Sequence, residues 1–181
     1  MSKKILIVSA SPRKNSNSEA LALAFAEGAR EAGHEVEFVS LRGKTVNFCR
    51  GCFVCQEKLR CVIRDDADEI CQKALTAGVL VFSTPIYYYE MSGQLKTLLD
   101  RLNPLVPSDY AFRDVYLLTA AAEEEEQVPR RAVSGLEGWI ECFERARLAG
   151  TVFLGGVTEA GESVSHPEKL QAAYSLGNQL A

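Results

Sequence analysis

The sequence predicts an α/β domain with a doubly wound, five-stranded parallel sheet and helices on both of its faces. Continuous apolar runs, which are typical of strands buried on both faces, recur along the chain and alternate with segments rich in helix-forming residues. Regular alternation of this kind gives a parallel sheet covered by helices on both sides. The length of 181 residues suits a single domain that spans 1–181 and buries a sizeable core.

The five predicted strands differ in how far they are buried. Residues 4–9 (KILIVS) form a continuous apolar run, whereas residues 35–40 (EVEFVS) alternate polar and apolar side chains like an outer strand. Residues 78–83 (GVLVFS), 114–122 (DVYLLTAAA) and 151–157 (TVFLGGV) are again mostly apolar. Five such strands suit the flavodoxin-like order 2-1-3-4-5, in which ligands bind at the carboxyl ends of the strands.

The five predicted helices lie between and after these strands. Residues 19–32 are rich in helix formers and are followed by a glycine, and residues 66–77 carry acidic side chains in their first turn, which suits the helix dipole. Residues 92–102 are amphipathic. Proline stands at the beginning of the helices predicted over 129–147 and 167–180, a position that it favours.

The loop after the first strand, residues 9–18 (SASPRKNSNS), is rich in side chains that donate hydrogen bonds. Backbone N–H groups at a helix N-terminus hold phosphate well, and Arg13 adds a fixed positive charge. Because the loop has no GxGxxG pattern, a monophosphate fits it better than a dinucleotide pyrophosphate. The alternative is a solvated turn in which Ser or Asn caps the following helix.

The loop after the third strand, residues 84–91 (TPIYYYEM), carries three consecutive tyrosines. Tyrosine offers a planar apolar surface with a polar tip, and a flat heteroaromatic ring needs such walls together with backbone donors and acceptors. The loop therefore predicts a binding site for a planar ring. Packing of the tyrosines in a core or an interface is the alternative.

Four of the six cysteines lie in residues 49–61 (CRGCFVCQEKLRC), with the spacing C-x2-C-x2-C-x5-C. This spacing is similar to the compact ligand set of a [4Fe–4S] cluster, whereas zinc sites more often use two separated pairs. The whole connection, residues 41–64, is here called the cysteine segment; its length calls for a cluster or a ligand lid. A lid of reduced thiols is the alternative. Cys71 and Cys142 are predicted to be buried within helices.

Bulk properties argue against several classes of partner. The net charge is −4 and the pI is about 5.3, which argues against general nucleic-acid binding. The apolar run Ile5–Ser9 is too short for a signal peptide or a membrane span, so we expect a cytoplasmic protein without membrane association. Cytosolic thiols stay reduced, which disfavours a disulfide knot in the cysteine segment.

Three segments together resemble a known family. Residues 9–21 (SASPRKNSNSEAL), 49–66 (CRGCFVCQEKLRCVIRDD) and 83–101 (STPIYYYEMSGQLKTLLDR) resemble the NADPH-dependent FMN reductase-like branch of the flavodoxin fold and, more narrowly, its iron–sulfur flavoproteins. The resemblance implies that FMN binds with its phosphate in the first loop and its ring against residues 84–89. It implies the cofactor-binding residues Ser9, Ser11, Arg13, Ser16, Asn17, Ser18, Thr84, Pro85, Ile86, Tyr87, Tyr88, Tyr89, Thr119, Ala120 and Ala121, and the cluster ligands Cys49, Cys52, Cys55 and Cys61.

The resemblance also implies an FMN-dependent oxidoreductase that takes electrons from NAD(P)H or a ferredoxin and passes them to a small acceptor such as a quinone or a nitro compound. The cofactor carries out the transfer, so no side chain is predicted to be catalytic, and neither His34 nor His166 lies in a candidate site. One alternative is an electron carrier with FMN and a [4Fe–4S] cluster. Another is a thiol-based redox sensor or binding protein.

Two further expectations concern assembly and the rim of the site. Related folds pair into dimers or tetramers, so we expect a homodimer or a homotetramer. The acidic run Glu123–Glu126 is interpreted as a solvated charge run at a helix start, and it discourages anionic substrates at that edge.

Overall fold

The computed structural model describes residues 2–180 as a six-stranded sheet with helices packed on both faces. The strands are β1 (Lys4–Ser9), β2 (Glu35–Ser40), β3 (Val79–Tyr87), β4 (Glu90–Met91), β5 (Asp114–Ala120) and β6 (Arg147–Leu154). The parallel strands lie in the order β2-β1-β3-β5-β6, and β4 pairs antiparallel with the end of β3.

The predicted parallel α/β architecture is confirmed, but the strand count and order are corrected. The sheet has six strands in the order 2-1-3-5-6 rather than five in the order 2-1-3-4-5. The difference arises because β3 continues past its predicted end and reverses at Tyr88 and Tyr89, so that Tyr87 pairs with Glu90 in β4. The five parallel strands keep the neighbours that were predicted for them.

The helices are α1 (Asn17–Glu31), α2 (Val54–Lys58), α3 (Asp66–Thr76), α4 (Gly93–Arg101), α5 (Arg130–Ile140) and α6 (Pro167–Asn178). Short 3-10 turns lie at Asn103–Leu105 and Glu162–Ser165. Helices α1 and α6 bury their apolar residues against one face of the sheet, and α3, α4 and α5 do so against the other. None of the helices found between residues 2 and 180 is long and apolar enough to cross a membrane.

The last helix–strand boundary differs from the prediction. Helix α5 ends at Ile140 and not near Arg147, and β6 begins at Arg147 and not at Thr151. Because β6 is an edge strand whose first residues are partly exposed, that stretch carries no continuous apolar run to mark it. The intervening turn buries Phe143 against Trp139, with ring centroids 4.5 Å apart.

Two glycines allow α1 and α6 to cross at very short range. A Cβ atom at Gly28 would lie 2.1 Å from the carbonyl oxygen of Tyr174, and one at Gly177 would lie 2.1 Å from that of Phe25. No other residue fits at either position without moving a helix. This contact fixes the position of α1 and therefore of the polar loop at its N-terminus.

Side-chain caps begin three of the helices that leave the carboxyl edge region. The Oγ of Ser16 accepts from the backbone N–H of Glu19 at 3.2 Å at the start of α1. The Oγ of Ser92 caps α4 and the carboxylate of Asp65 caps α3 in the same way. These caps fix the helix ends that follow the loop after β1, the tyrosine loop and the cysteine segment.

Candidate functional site

A cavity of about 400 Å³ lies at the carboxyl ends of β1, β3, β5 and β6. This volume is within the range of small-molecule sites, roughly 300–1,000 Å³. We call it the carboxyl-edge cavity. Of the residues predicted to bind the cofactor, the structure brings together Ser11, Arg13, Ser16, Asn17, Ser18, Pro85, Ile86, Tyr87, Tyr88, Tyr89, Ala120 and Ala121 around it.

The N-terminus of α1 forms the polar end of the carboxyl-edge cavity. Ser16, Asn17 and Ser18 line the cavity there. The Oγ of Ser18 is buried and has no hydrogen-bond partner among residues 2–180. A buried hydroxyl without a partner is costly, and beside the first N–H groups of a helix it suits the oxygens of a phosphate. The polar end therefore fits the phosphate of FMN.

Three predicted residues do not line the cavity: Ser9, Thr84 and Thr119 lie beneath it and are almost completely buried. The Oγ1 of Thr84 accepts from the backbone N–H of Ser92 at 2.9 Å, which holds the tyrosine loop against the start of α4. The Oγ of Ser9 contacts Glu19 at 3.4 Å, and the Oγ1 of Thr119 donates to a carbonyl oxygen of β6 at 3.3 Å. Their hydroxyls support the floor of the cavity.

The segment that follows β6 also lines the cavity, although no sequence pattern predicted its contribution. Val157, Thr158 and Ala160 contribute to the wall. Arg13 donates from Nη1 to the carbonyl oxygen of Thr158 at 2.7 Å, and Asn17 donates to that of Glu159 at 2.8 Å. The position of this segment, directly after a parallel strand, was the signal that could have found it.

The tyrosine turn at the mouth of the cavity has a strained backbone. Tyr88 and Tyr89 have φ values of 52° and 65°, so both central residues of the two-residue turn are left-handed. This conformation costs a non-glycine residue roughly 1–2 kcal/mol. Tyr88 is also 97% exposed. Strain of this kind is retained mainly where a surrounding site requires it.

The acidic run Glu123–Glu126 is exposed, and Glu123 lines the rim of the carboxyl-edge cavity. The run does not begin a helix, because α5 starts only at Arg130. Its carboxylates therefore bring negative charge to one edge of the cavity.

A second cavity, of about 420 Å³, lies between the cysteine segment, the end of α4 and α5. Cys49, Cys52, Cys55 and Cys61 all line it, and we call it the cysteine cavity. The segment is not structureless, since α2 carries Cys55. Gly51 adopts a φ of 63°, a left-handed conformation that glycine accepts without strain.

Three of the four sulfurs already accept N–H donors. The backbone N–H of Gly51 lies 3.4 Å from the Sγ of Cys49, and that of Ile63 lies 3.4 Å from the Sγ of Cys61. The side chain of Asn103 donates to the Sγ of Cys55. Hydrogen bonds to sulfur stabilise thiolate ligands and tune iron–sulfur clusters, so this donor set fits such a group.

The four cysteine side chains line one cavity, but they do not converge on a single point. In the part of the chain from residue 2 to residue 180, no three Cys, His, Asp or Glu side chains are close enough together to hold a metal ion. All six cysteines are free thiols. The arrangement therefore provides four thiols around one cavity, with the donors that a cluster would use.

The other two cysteines differ from each other. Cys71 is buried as predicted, and burial, with a smaller contribution from Asp68, raises the pKa of its thiol to about 12. The prediction for Cys142 was wrong, because this residue lies beyond the end of α5, is exposed, and lines the cysteine cavity.

Residues 3–157, which include most of both cavities, match the model of the family described as NADPH-dependent FMN reductase. The chain belongs to this family. In this chain, the matched residues run from the start of β1 to the segment that follows β6. The predicted membership of the FMN reductase family is therefore confirmed.

Curated relatives and solved structures agree with this placement. The chain is 40% identical over 102 residues to an iron–sulfur flavoprotein of Methanocaldococcus jannaschii, covering 56% of this chain and 53% of that protein, about half its length. It is 29% identical over 156 residues to an iron–sulfur flavoprotein of Methanosarcina thermophila, covering 86% of this chain and 82% of that one. An NAD(P)H:quinone oxidoreductase from Methanothermobacter marburgensis has the same fold, with a TM-score of 0.74, 20% identity and coverage of 98% and 96%.

Proposed function

We propose that the protein is an FMN-dependent oxidoreductase that takes electrons from NAD(P)H and passes them to a small acceptor such as a quinone or a nitro compound. The observation that carries the proposal is the carboxyl-edge cavity, which combines a buried Ser18 hydroxyl, without a hydrogen-bond partner between residues 2 and 180, with the N-terminus of α1 and the tyrosine turn. Family membership supports both the flavin and the nicotinamide donor. The choice of acceptor is the finer part of the proposal.

When bound, FMN would supply the electron-transfer chemistry. The chain's own residues would bind and orient it. Ser11, Ser16 and Ser18 would donate to the phosphate, and Arg13 would reach it with the N–H groups that it does not use on Thr158. Residues 86–89 would form a wall for the ring and offer backbone groups to its polar edge.

The charge at the rim favours acceptors that are not anionic. The exposed carboxylates of Glu123–Glu126 stand beside the cavity and repel negative charge. A neutral quinone or nitro compound meets no such repulsion. This is the reason for preferring these two acceptor classes.

Loss of the Arg13 charge tests the phosphate assignment. We expect Arg13→Ala to weaken FMN binding by roughly 10-fold or more, because a hydrogen bond to a charged group contributes about 1.5–3 kcal/mol. Arg30→Ala, at the exposed far end of the same helix, is the matched control. The FMN affinity of both variants is measured by quenching of flavin fluorescence. If both variants bound FMN as tightly as the wild type, the phosphate assignment would be wrong.

A turnover assay tests the rest of the proposal. The FMN-loaded protein is expected to oxidise NADPH or NADH when a quinone or a nitroaromatic compound is present. A negligible rate with both nucleotides, together with fast exchange with reduced ferredoxin, would reject the NAD(P)H part and support an electron carrier.

The second candidate function is an iron–sulfur flavoprotein that carries electrons with FMN and a [4Fe–4S] cluster. It is favoured by the four thiols around one cavity and by the N–H donors on three of their sulfurs. An absorption spectrum of protein purified without oxygen tests it. Flavin bands with a broad shoulder that dithionite bleaches support the cluster, whereas flavin bands alone assign the cysteine segment to a thiol lid.

Assembly into a homodimer or homotetramer belongs to the same proposal. Tyr88 is nearly fully exposed at the mouth of the carboxyl-edge cavity, where a second copy could cover it. Sedimentation analysis of the wild type and of Tyr88→Asn tests this, and a wild type that sediments as a monomer at micromolar concentration would contradict it.

A further inference from the structure

Arg101, the last residue of α4, is a buried cation that holds both ends of the cysteine segment. Its Nη1 donates to the carbonyl oxygen of Asn47 at 2.7 Å, and its Nη2 donates to that of Ile63 at 3.0 Å. Asn47 stands two residues before Cys49, and Ile63 stands two residues after Cys61. One side chain therefore closes the base of the loop that carries the four thiols.

Asp65 completes this closure. Both of its oxygens pair with Arg101, at 2.7 and 2.9 Å, and its side chain is only 4% exposed. The same carboxylate accepts from the backbone N–H of Asn47 at 2.8 Å and caps α3. Burial alone would raise the pKa of Asp65, but the hydrogen bonds from Arg101 and Asn47 outweigh it and lower the pKa to about 2. The pair is therefore charged at neutral pH and ties the segment to α3 and α4.

Asn103, two residues beyond Arg101, reaches the middle of the cysteine segment. Its Nδ2 lies 3.1 Å from the Sγ of Cys55 and donates to it. Cys55 is the buried member of the four cysteines, with 8% of the residue exposed. The chain thus places a buried clamp and a side-chain donor on one scaffold, the end of α4 and the turn after it.

We propose that Arg101 and Asn103 are positioning residues that hold the two ends of the cysteine segment and Cys55 in place before a cluster binds, and that Asn103 raises the reduction potential of a cluster bound there. The proposal rests on the second candidate function, the cluster at the four cysteines of the segment. A loop that had to become ordered on metal binding would lose part of the binding free energy to conformational entropy. Arg101 closes the base of the segment and Asn103 holds one thiol, so part of this conformational entropy is lost during folding and not on metal binding.

The effect on potential follows from the charge change. Reduction adds one electron, supplied by dithionite through a mediator dye, to the bound cluster, and no bond of the protein forms or breaks. Part of the added negative charge resides on the sulfur ligands, where the Asn103 N–H stabilises it. Loss of this donor should favour the oxidised cluster and lower its midpoint potential.

Four variants separate the hydrogen bond from packing. Asn103→Leu keeps a similar size and removes the donor, and Asn103→His restores an N–H donor with similar reach. Gln94→Leu makes the same amide-to-leucine change at an exposed position of α4 and is the matched control. Arg101→Met opens the base of the loop but also lowers the stability of the domain, so Asn103→Leu is the decisive variant.

Two measurements are made on these variants. In metal-free protein, the rate at which iodoacetamide alkylates Cys55 is followed by peptide mass spectrometry, with buried Cys71 as the internal reference. We expect the rate in Asn103→Leu to differ several-fold from that of the wild type, because the donor affects both the exposure of the sulfur and the stability of its thiolate, and we expect wild-type rates in Asn103→His and Gln94→Leu. After anaerobic reconstitution with iron and sulfide, a redox titration followed by electron paramagnetic resonance should give a lower midpoint potential only in Asn103→Leu.

The outcomes distinguish this proposal from the cluster proposal. Unchanged Cys55 alkylation and unchanged potential in Asn103→Leu would overturn the role of Asn103. A lowered potential that Asn103→His does not restore would assign the effect to packing and overturn the donor role. If the wild-type protein takes up no iron and sulfide, the cluster proposal fails, and with it the predicted effect of Asn103 on the reduction potential. The alkylation rates alone would then test whether Asn103 positions Cys55.

Discussion

The carboxyl-edge cavity is lined by the segments that directly follow β1, β3, β5 and β6, whereas the cysteine cavity is built mainly on the cysteine segment, which connects β2 to α3. The first cavity has the sheet as its floor, with the buried hydroxyls of Ser9, Thr84 and Thr119 beneath it. The second is held by the buried ion pair Arg101–Asp65, together with the pairs that Arg60 and Arg64 form with Asp68 of α3. A site at strand ends takes its shape from the sheet, whereas a long connecting segment depends on side-chain contacts that hold it in place.

The largest effect should come from breaking the buried Arg101–Asp65 pair, the anchor of the cysteine segment. We expect Arg101→Met to lower the free energy of unfolding by roughly 3–5 kcal/mol, because Asp65 would stay buried without its counter-ion. Lys96→Met removes the exposed pair with Asp100 on the same helix and should cost less than about 1 kcal/mol. Urea unfolding, followed by the fluorescence of Trp139, the single tryptophan, measures both. If both variants lost the same free energy of unfolding, the buried Arg101–Asp65 pair would contribute no more to stability than the exposed Lys96–Asp100 pair.

The next effect tests the rigidity of the carboxyl-edge cavity. Gly177→Ala places a Cβ atom 2.1 Å from a backbone oxygen of α1 and should cost up to about 3 kcal/mol while weakening FMN binding, because α1 must shift. Gly138→Ala, in open space on α5, should instead stabilise by roughly 0.5–1 kcal/mol. Thermal unfolding and FMN titration measure the two effects. A Gly177→Ala protein as stable as the wild type would contradict the close helix contact.

Acid should weaken the anchor of the cysteine segment selectively. The folded-state pKa of Asp65 is lowered from 3.8 to about 2, so its contribution is present above the unfolded-state pKa and is lost as pH falls toward the folded-state value. The lost stability should be about 2 kcal/mol between pH 4 and pH 2, from roughly 1.4 kcal/mol per pKa unit. In Asp65→Asn the slope of unfolding free energy against pH should be shallower in this window. The same slope as in the wild type would assign acid sensitivity to other carboxylates.

The smallest effect concerns backbone strain at the mouth of the carboxyl-edge cavity. Replacing Tyr88 by Asn and Tyr89 by Gly gives the turn residues that favour left-handed backbone, and should stabilise the domain by roughly 1–2 kcal/mol. FMN binding should weaken because the aromatic wall is lost. Arg50→Ala, at an exposed position in the cysteine segment, is a control that should change neither property. A double variant that is less stable than the wild type would show that the turn is not strained.

The local pattern of the sequence predicted most of the fold and most of the carboxyl-edge cavity. Apolar runs mark the inner strands, and parallel strands bring their carboxyl ends together, so the loops around Arg13 and the tyrosines had to meet. The same rule would have found the segment after β6. The start of β6 at Arg147 and the two-residue turn before β4 were missed, because exposed strand starts and strained tyrosines carry no local signal.

What the sequence by itself determined is the class of domain, its family and the chemical types gathered at its edge, since these follow from periodicity and short motifs. Only the tertiary structure decided how the cysteine segment is held. Arg101 meets Asn47 across 54 residues and Ile63 across 38, and Asn103 meets Cys55 across 48. Contacts at such separations depend on where the packed helix α4 places its last residues, and no local pattern in the chain encodes that position.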